Sequence, residues 1–400
     1  MNVILFDDPV LWRNLLPLTF TRPISEIRFG ILKIVEKWER YNWEKISYLT
    51  EDYLESKYVP VMANDNLLIN SKYMPDADLN AEIHSLEPGE SITKSGEIIA
   101  LRCDSIELES IIKTRKFNAA ASYEYNQEVF KIEHITDIFS FNGVQIRKDF
   151  EVVVKGRESA TISDPNTVIY NPENVFIEEG LKIKAAILNA EDGPIYIGSN
   201  VEIQEGAMIR GPFSIGRNSI ISMGGKIRPN TSIGPFCKVG GEVSNSIIFG
   251  YSNKGHEGYL GNSIIGEWCN LGADTNTSNM KNNYAEVRIW NYLKEDFQPS
   301  GKQFCGTIMG DHVKTGINTM LNTGTVVGVG ANIFGGGFPP KFIPSFSWGG
   351  AEGFEEFDLE KNLEIAAIVM KRLGVSLTHS ERGILKQVFK STSFHRSNFS

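Results

Sequence analysis

The sequence predicts an α/β amino-terminal domain, then a left-handed parallel β-helix built from hexapeptide repeats, then carboxy-terminal helices. A period of six carries this prediction, because every sixth residue from Ile197 to Val239 is a branched aliphatic. Glycine usage adds to it, since Gly30 is the only glycine before Gly89, whereas glycines are frequent from about 175 to 350. We therefore expect three parts, residues 1–165, 166–340 and 341–400.

Composition excludes several classes of protein. The 400 residues are 41% hydrophobic and 22% charged, which is typical of a folded chain long enough for more than one core. The net charge of −9 has no accompanying run of lysine or arginine, so neither nucleic acid nor a membrane surface is an expected partner. Acidic residues at 7 and 8 do not fit a signal peptide, and we expect a cytoplasmic protein. The 4 cysteines lie far apart, which predicts reduced thiols.

The first part of the chain has the mixed pattern of an α/β domain. Val3 to Phe6 and Leu67 to Ile69 are short apolar runs typical of buried strands. Residues 31–38 have the spacing of a helix. Strands alternating with helices predict an α/β architecture for residues 1–165.

The repeat itself predicts the coil geometry of residues 166–340. Six residues form one short strand and a turn, and three such units close a triangular coil whose aliphatic side chains point inward. Glycine and asparagine suit the corners, because they adopt left-handed backbone conformations at low cost. A β-sandwich would instead require alternation with a period of two and hairpin turns, and the sequence has neither.

Interruptions of the repeat and the end of the chain complete the prediction. The period breaks at about 245–262 and 279–306, which we interpret as loops that protrude from the coil. After Asp358 an apolar stripe with helical spacing runs to Gly374, and Thr378 with Glu381 forms a capping box for a second helix. The carboxy-terminal part is therefore expected to be helical.

His256 is the strongest candidate for a catalytic residue, and it lies in the segment NKGHEGYLG at 253–261. An imidazole can accept a proton from an attacking amine near neutral pH, which acyl transfer from a thioester requires. A single histidine in a loop is more often merely solvated. The surrounding motifs decide between these two interpretations.

Those motifs resemble a known family. The segments are Lys254-Gly255-His256, Tyr259-Leu260-Gly261, Asn270 to Thr275, Thr277-Ser278-Asn279 and, upstream, Ile227-Arg228-Pro229-Asn230. With the hexapeptide repeat, they resemble the acetyltransferase domain of the bifunctional N-acetylglucosamine-1-phosphate uridylyltransferase/glucosamine-1-phosphate acetyltransferases. The resemblance implies N-acetylation of glucosamine 1-phosphate by acetyl-CoA in a homotrimer. The product would feed UDP-N-acetylglucosamine and cell-wall precursor synthesis.

The resemblance also implies a role for each matched residue. His256 would be the general base, and the Gly272-Ala273 backbone would line the thioester site, where its amides would stabilise an oxyanion. The sugar and its phosphate would contact Arg228, Tyr259, Asn270 and Asn279. Ser244 replaces a family lysine, so Lys281 is one candidate for a second phosphate ligand. Lys341, where the chain leaves the coil, would meet a phosphate of coenzyme A or would simply be solvated.

The amino-terminal part departs from that family. The family's first strand leads into a glycine-rich loop whose amides hold a nucleoside triphosphate, whereas residues 6–13 contain no glycine. Residues 16–32 and 64–70 resemble a divergent branch of sugar nucleotidyltransferase-like proteins. A phosphate cluster would comprise Arg13, Arg22, Arg28 and Lys33, with Mg²⁺ held by Asp7, Asp8 or Asp65. An active domain would use UTP or another nucleoside triphosphate; the same residues would otherwise be ion pairs.

Three functions are therefore open. The first is acetyl transfer at His256, to which an active amino-terminal domain would add uridylyl transfer. In the second, only the amino-terminal domain is an enzyme, a sugar-1-phosphate nucleotidyltransferase, and the β-helix is an assembly module. The third is a non-catalytic trimeric scaffold, which would not need a histidine at position 256. A zinc hydratase of this fold would need three converging histidines, and the repeats contain only His256 and His312.

Overall fold

The computed structural model describes residues 1–41, 43 and 45–397. They form two compact units. The first, called here the α/β unit, comprises Met1–Leu15, Arg22–Ile27 and Leu32–His134. The second, called here the β-helix unit, comprises Leu16–Thr21, Arg28–Ile31 and Ile135–Ser400. Two short segments near the amino terminus therefore fold with the β-helix unit.

The α/β unit is built on a mixed sheet in the order β2-β1-β3-β5-β4-β6. The strands are β1 (Asn2–Phe6), β2 (Ser47–Leu49), β3 (Asp65–Asn70), β4 (Glu90–Lys94), β5 (Glu97–Asp104) and β6 (Ala121–Glu124). Strand β1 pairs in parallel with both β2 and β3, while β5 runs antiparallel to β3 and β4. The two strands expected from the apolar runs are thus present, as β1 and β3.

Helices of the α/β unit begin at residues that cap them. They are α1 (Pro9–Asn14), α2 (Ile34–Glu39), α3 (Ala77–His84) and α4 (Ser105–Thr114). The carboxylates of Asp8, Asp76 and Asp104 accept hydrogen bonds from the first amides of α1, α3 and α4. The helix expected at 31–38 is α2. Short polar caps therefore fix where these helices begin, as they do in most soluble proteins.

The β-helix unit contains three faces of stacked strands, all paired in parallel except the last pair of the third face, Ser347–Gly350 with Gly353–Glu356. The first face contains Val168–Tyr170, Ile187–Asn189, Met208–Arg210, Lys226–Ile227, Glu242–Ser244 and Tyr259–Gly261. The second face contains Val175–Ile177, Ile195–Ile197, Phe213–Ile215, Thr231–Ile233, Ile247–Gly250, Ile264–Glu267, Ile308–Met309, Val326–Val327 and Phe342–Ile343. The third face contains Lys182–Ile183, Glu202–Ile203, Ile220–Ile221, Lys238–Val239, Asn253–Lys254, Asn270–Leu271, Lys314–Thr315, Asn332–Ile333, Ser347–Gly350 and Gly353–Glu356. Asn276–Thr277 pairs separately with Met320–Leu321.

Inward aliphatic side chains form the core of the coil, as the period of six predicts. The residues from Ile197 to Val239 at this spacing are at most 2% exposed. The fold class predicted from the sequence is confirmed. One detail was wrong, because residues 245–262 are not a protruding loop but supply strands to all three faces. The repeat loses its phase there because the inward residues after Val239 are Val243 and Ile248, so that two successive corners are shorter than the period of six requires.

An aromatic ladder occupies one corner of successive coils. Phe236, Tyr251, Trp268 and His312 all have left-handed backbones, with φ between 53° and 62°. Bulky side chains rarely adopt this conformation. Here their rings stack, with centroids 5.2, 4.3 and 6.5 Å apart along the column. Stacking therefore offsets part of the backbone strain at a corner where asparagine would otherwise be favoured.

The segment 279–306 protrudes as expected and forms a hairpin from Arg288–Asn291 and Asp296–Pro299. Its Trp290 ring stacks on Phe342 with centroids 4.1 Å apart, and His395 lies 5.2 Å from the Phe342 ring. A side chain at Gly324 would collide with the carbonyl of Arg288, 2.6 Å from the position of its Cβ. The hairpin is thus packed against the coil and the carboxy-terminal segment.

Helices cover two further parts of the β-helix unit. The helix α5 (Asp137–Ser140) is followed by α6 (Asn142–Val154), and Asn142 bonds both the Gly30 amide and the Asn230 carbonyl, each at 2.9 Å. At the other end are α7 (Leu359–Lys371) and α8 (His379–Ser391), which begin at Asp358 and at the Thr378–Glu381 capping box. Both carboxy-terminal helices are therefore confirmed. In the part of the chain that the structure describes, no helix combines the length and apolarity needed to cross a membrane.

Close packing between coils makes one glycine especially sensitive. A Cβ at Gly234 would lie 1.8 Å from the carbonyl oxygen of Phe249 on the next coil. Gly234→Ala is therefore expected to lower the free energy of unfolding by roughly 1 to 3 kcal/mol, measured by urea denaturation. Gly383→Ala, in open space on α8, is the control and should be neutral or stabilising. Equal stability of both variants would contradict the close approach.

Candidate active site

The loop that holds His256 connects the third face to the first. It runs from the strand Asn253–Lys254 to the strand Tyr259–Gly261, and the His256 side chain is exposed. Gly258 allows the loop to approach the next coil, since its φ is +118° and a Cβ there would lie 2.3 Å from the Thr275 carbonyl. The amide of Asp274 donates to the Glu257 carbonyl at 3.1 Å. The next coil therefore fixes the backbone around His256.

Lys254 fixes the same loop from inside the coil. Its side chain occupies an inward position next to Val239 and is 3% exposed. The Nζ atom donates to the carbonyls of Gly240 and His256, both at 3.0 Å. Burial lowers the pKa of Lys254 to about 8. Burying an ammonium group lowers the stability of the fold, and here the buried group holds the His256 backbone through a hydrogen bond.

A polar cluster lies on the first face beside that loop. The guanidinium of Arg228 donates to Glu242 at 3.0 Å. The amide of Asn279 donates to the Tyr259 hydroxyl at 3.0 Å and to Asn262 at 2.8 Å. Burial raises the pKa of Tyr259, and Glu242 raises it further. The structure thus brings together Arg228, Tyr259 and Asn279 as a set of donors suited to phosphate and hydroxyl groups.

Asn270, Gly272 and Ala273 belong to the other side of the His256 loop. Asn270 is exposed on the third face, where its Oδ1 accepts from Asn253 at 3.1 Å. The amide of Gly272 already donates to the Thr315 carbonyl and hydroxyl, both at 3.1 Å. The expected oxyanion contact from this amide is therefore not available without breaking a bond between coils. His256 stands at the edge between these two groups of residues.

Lys281 and Lys341 form a separate basic cluster with Arg288. The Lys341 ammonium donates to the Arg288 carbonyl at 3.2 Å, and Lys281 donates to the Glu286 carbonyl at 2.6 Å. Burial lowers the pKa of Lys341, and the positive charge of Lys281 lowers it further. Lys281 therefore lies with Lys341 on the hairpin side. Concentrated positive charge of this kind suits the phosphates of a coenzyme.

Sequence reasoning gave no role to three residues that shape the site, although Lys254 was part of the motif. Glu242 pairs with Arg228, Asn262 holds Asn279, and Lys254 supports His256 from below. Alternation within the strand could have placed Glu242 next to the inward Val243. The repeat could not predict that Lys254 points into the coil, because the period of six ends at Val239.

Asp65 does not join the other residues proposed for nucleotide binding. It lies at the amino end of β3, where its carboxylate forms a bidentate ion pair with the Arg102 guanidinium at 2.8 and 3.1 Å. Strand β3 pairs in parallel with β1, with Asn66 opposite Asn2 and Asn70 opposite Phe6. Asp7 and Arg13 follow the other end of β1, so roughly 20 Å of strand separates them from Asp65. Ligands of parallel α/β sheets bind at the carboxyl ends of strands, and Asp65 is at the opposite edge.

The turn after β1 does not offer a set of free backbone amides to a phosphate. The Asp8 carboxylate accepts from the amides of Val10 and Leu11 at 2.9 and 2.8 Å, and Pro9 has no amide hydrogen to offer. A carboxylate therefore occupies the donors that a phosphate would need. Arg13 is exposed on α1, whereas Arg22 is buried.

Two other members of the expected basic cluster have local partners. Arg28 lies in the β-helix unit, where it is 7% exposed and donates to the carbonyl of Phe249 at 3.1 Å. Lys33 is in the α/β unit and forms an ion pair with Glu26 at 2.7 Å. The expectation of ion pairs fits Lys33. Arg28 instead has a structural role as a buried donor to backbone carbonyls.

Asp7 is buried at the carboxyl end of β1. It accepts from the Thr50 hydroxyl at 2.6 Å and from the Ile24 amide at 3.0 Å, and burial raises its pKa to about 7. Among the described residues, no group of three or more His, Cys, Asp and Glu side chains is arranged to hold a metal ion. Asp7, Asp8 and Asp65, the alternatives expected for Mg²⁺, are not part of such a group in the described chain.

The raised pKa of Asp7 makes stability depend on pH. Between pH 4 and 7 the unfolded chain loses this proton while the folded protein keeps it, so the free energy of unfolding falls as the pH rises. Asp7→Asn removes that fall, which amounts to roughly 4 kcal/mol. Urea unfolding at pH 5 and pH 8 should therefore show the variant gaining on the wild type at pH 8. Asp52→Asn, at an exposed carboxylate, is the control; the same pH dependence in all three proteins would contradict the prediction.

Two protein-family models match separate stretches of the chain. Residues 3–158 match a family model described as sugar nucleotidyl transferase, and residues 209–330 match the GMPPB C-terminal domain. Each of the two models covers less than half of the chain. The resemblance inferred from the motifs is thereby confirmed at the level of the sugar nucleotidyl transferase domain and the β-helix that follows it.

Curated relatives match parts of this chain, and the name of one of them states both nucleotidylyl transfer and acetyl transfer. A bifunctional sugar-1-phosphate nucleotidylyltransferase/acetyltransferase from Sulfurisphaera tokodaii is 35% identical over 162 residues, which are 40% of this chain and 38% of that protein. Bifunctional protein GlmU from Methanococcus aeolicus is 39% identical over 112 residues, 26% of either chain. The chain thus spans between a quarter and two fifths of these relatives. Among solved structures, the polySia-specific acetyltransferase NeuO matches 50% of this chain and 85% of its own, at 16% identity and a TM-score of 0.27.

Proposed function

We propose that the β-helix unit transfers the acetyl group of acetyl-CoA to the 2-amine of glucosamine 1-phosphate. The amine nitrogen attacks the thioester carbonyl, the carbon–sulfur bond breaks, and coenzyme A leaves as its thiol. His256 takes the proton that the amine loses. The observation that carries the proposal is the exposed His256, held by Lys254 at an edge with phosphate-binding donors on one side.

Each neighbouring residue has a task in this reaction. Arg228 would bind the sugar phosphate with its fork of donors, and Tyr259 and Asn279 would orient the sugar. Asn270, Gly272 and Ala273 would line the thioester on the third face. The cluster of Lys281, Arg288 and Lys341 would meet the phosphates of coenzyme A, which reassigns Lys281 from the sugar phosphate. The names of the curated relatives, which include an acetyltransferase, support this assignment.

Assembly and location follow from the same proposal. We place the enzyme in the cytoplasm, where acetyl-CoA and sugar phosphates are available. His256 has ligand-binding residues on two different faces of one coil, so a neighbouring copy is needed to enclose a substrate between them. A homotrimer is therefore proposed, and sedimentation showing a monomer would remove the shared site.

Uridylyl transfer by the α/β unit is the second candidate function. It would join UTP or another nucleoside triphosphate to the acetylated sugar phosphate, giving UDP-N-acetylglucosamine when the nucleotide is UTP. The family model matched by residues 3–158 favours it. The Asp8 cap and Pro9 oppose it, since they leave the β1 turn without a phosphate cradle. The acetyltransferase is for this reason placed first.

One pair of assays tests these candidates. Coenzyme A release is measured with acetyl-CoA and glucosamine 1-phosphate, and pyrophosphate release is measured with UTP, Mg²⁺ and N-acetylglucosamine 1-phosphate. Release of coenzyme A supports the first proposal. Pyrophosphate without coenzyme A would make the β-helix an assembly module, and neither product would favour a trimeric scaffold.

A further inference from the structure

A groove runs along the first face, away from the His256 loop. Its volume is about 630 Å³, and it is lined by side chains of successive coils, among them Ile187, Met208, Arg210, Lys226 and Arg228. The Lys226 ammonium lies 3.5 Å from the Glu257 carboxylate, which is next to His256 in sequence. The groove is therefore continuous with the candidate active site. Only Arg228 in it has a task in the reaction proposed above.

Strand register gives the length of this groove. Ile187, Met208, Lys226, Glu242 and Tyr259 stand opposite one another in a single column of the first face. Neighbouring parallel strands are about 4.8 Å apart, so Tyr259 and Ile187 are separated by roughly 19 Å. A sugar whose amine reaches His256 and whose phosphate meets Arg228 ends near the middle of the column. A sugar 1-phosphate is therefore too short to fill the half of the groove that lies beyond Lys226.

The lining of that far half suits a nucleoside. Ile187 and Met208 are 39% and 45% exposed and give an apolar surface for a base. Arg210 is 53% exposed and extends the row of cations from Arg228, while Asp192 beside it is an acceptor for ribose hydroxyls. Exposed pairs such as Arg210–Asp192 contribute little to stability, so their groups can exchange partners for a ligand. The groove thus has cations in its middle that match a diphosphate, carboxylates that match sugar hydroxyls, and an apolar end that matches a base.

We propose that the groove binds the nucleoside diphosphate of a nucleotide-linked amino sugar, with the sugar amine at His256. The diphosphate lies at Lys226 and Arg228, and the nucleoside lies over Met208 and Ile187. This inference rests on the proposed acetyl transfer and enlarges its acceptor from a sugar phosphate to a nucleoside-diphosphate sugar. In a reaction sequence, a nucleotidyl transfer onto the amino sugar phosphate must then come before acetylation, which reverses the order of the two steps given for the second candidate function.

A charge introduced at Met208 tests the proposal. We compare kcat/KM for coenzyme A release with UDP-glucosamine and with glucosamine 1-phosphate, in the wild type and in Met208→Glu. The wild type should prefer UDP-glucosamine, and the variant should lose about tenfold of that preference because a carboxylate repels the diphosphate and disfavours the base. Met223→Glu, at an exposed methionine outside the groove, should keep the preference.

The outcomes separate this inference from the proposed function. Equal or better use of glucosamine 1-phosphate, with no change of preference in Met208→Glu, overturns the groove assignment and leaves acetyl transfer intact. If neither UDP-glucosamine nor glucosamine 1-phosphate leads to release of coenzyme A, the proposed acetyl transfer is wrong. Calorimetric binding of UDP-glucosamine then decides the groove alone: binding that weakens in Met208→Glu supports it, and no binding, or equal binding in both proteins, overturns it.

Discussion

His256→Ala is expected to lower coenzyme A release by about 10² to 10⁴-fold, the usual cost of removing a general base. The amine must lose a proton as it attacks the thioester, and the imidazole is the group at the edge of the coil that can take it. The loss should fall mainly on kcat, because the alanine variant keeps Arg228, Tyr259 and Asn279 for binding. The measurement is steady-state release of coenzyme A with each acceptor, UDP-glucosamine included.

His379→Ala is the matched control, since this exposed histidine opens α8 and has no part in the proposed reaction. It should retain wild-type activity. If His256→Ala retains activity within about threefold of this control, another group accepts the proton and the assignment of the base is wrong.

Lys254→Met is expected to make the protein more stable and less active. Removing a buried ammonium whose pKa is lowered to about 8 should raise the free energy of unfolding by roughly 1 to 3 kcal/mol at pH 7. The methionine cannot donate to the His256 carbonyl, so the loop loses the bond that positions the base. A displacement of this kind should lower kcat by roughly 10- to 100-fold. Thermal unfolding and coenzyme A release measure the two effects separately.

Lys314→Met is the matched control for this experiment. Burial lowers the pKa of Lys314 to about 8 as well, but its Nζ donates to the carbonyls of Trp268 and His312. The control should gain stability and keep its activity. Lower stability of Lys254→Met, or an equal loss of activity in the control, would contradict a positioning role for Lys254.

The pH dependence of the stability gain adds a second check. Between about pH 8 and 10.5 the unfolded chain holds the lysine proton while the folded protein releases it, so each lysine makes the wild type more stable as the pH rises. The advantage of either methionine variant should therefore shrink across this window. The comparison is between variant and wild type because buried thiols such as Cys237, whose pKa burial raises to about 12, act in the opposite direction in both proteins.

Much of the fold was predictable because its signals are local. The period of six reports which side chains enter the coil, and Asp358, Thr378 and Glu381 fix two helix starts through single hydrogen bonds. The structure also brings the motif residues Tyr259 and Asn279 within hydrogen-bond distance, since successive coils bring spaced segments into register.

The remaining features depend on contacts that sequence spacing does not encode. Two shorter corners shift the register after Val239, which hid the coil in 245–262 and the inward position of Lys254. Asp65 looked suited to a metal because it is acidic and near a strand, but the direction of β3 puts it at the edge opposite Asp7. The Gly272 amide looked available until the next coil supplied Thr315 as its acceptor.

The aromatic ladder gives the coil a second column of contacts outside its aliphatic core. Solenoids otherwise gain stability from nearest-neighbour contacts alone, and they can fray one repeat at a time. Rings at Phe236, Tyr251, Trp268 and His312 join successive coils through a continuous stack. The coil that carries the His256 loop contributes Tyr251, so loosening it must also break the ring contacts with Phe236 and Trp268 on the neighbouring coils. The candidate active site therefore lies on coils that are joined by ring contacts as well as by the aliphatic core.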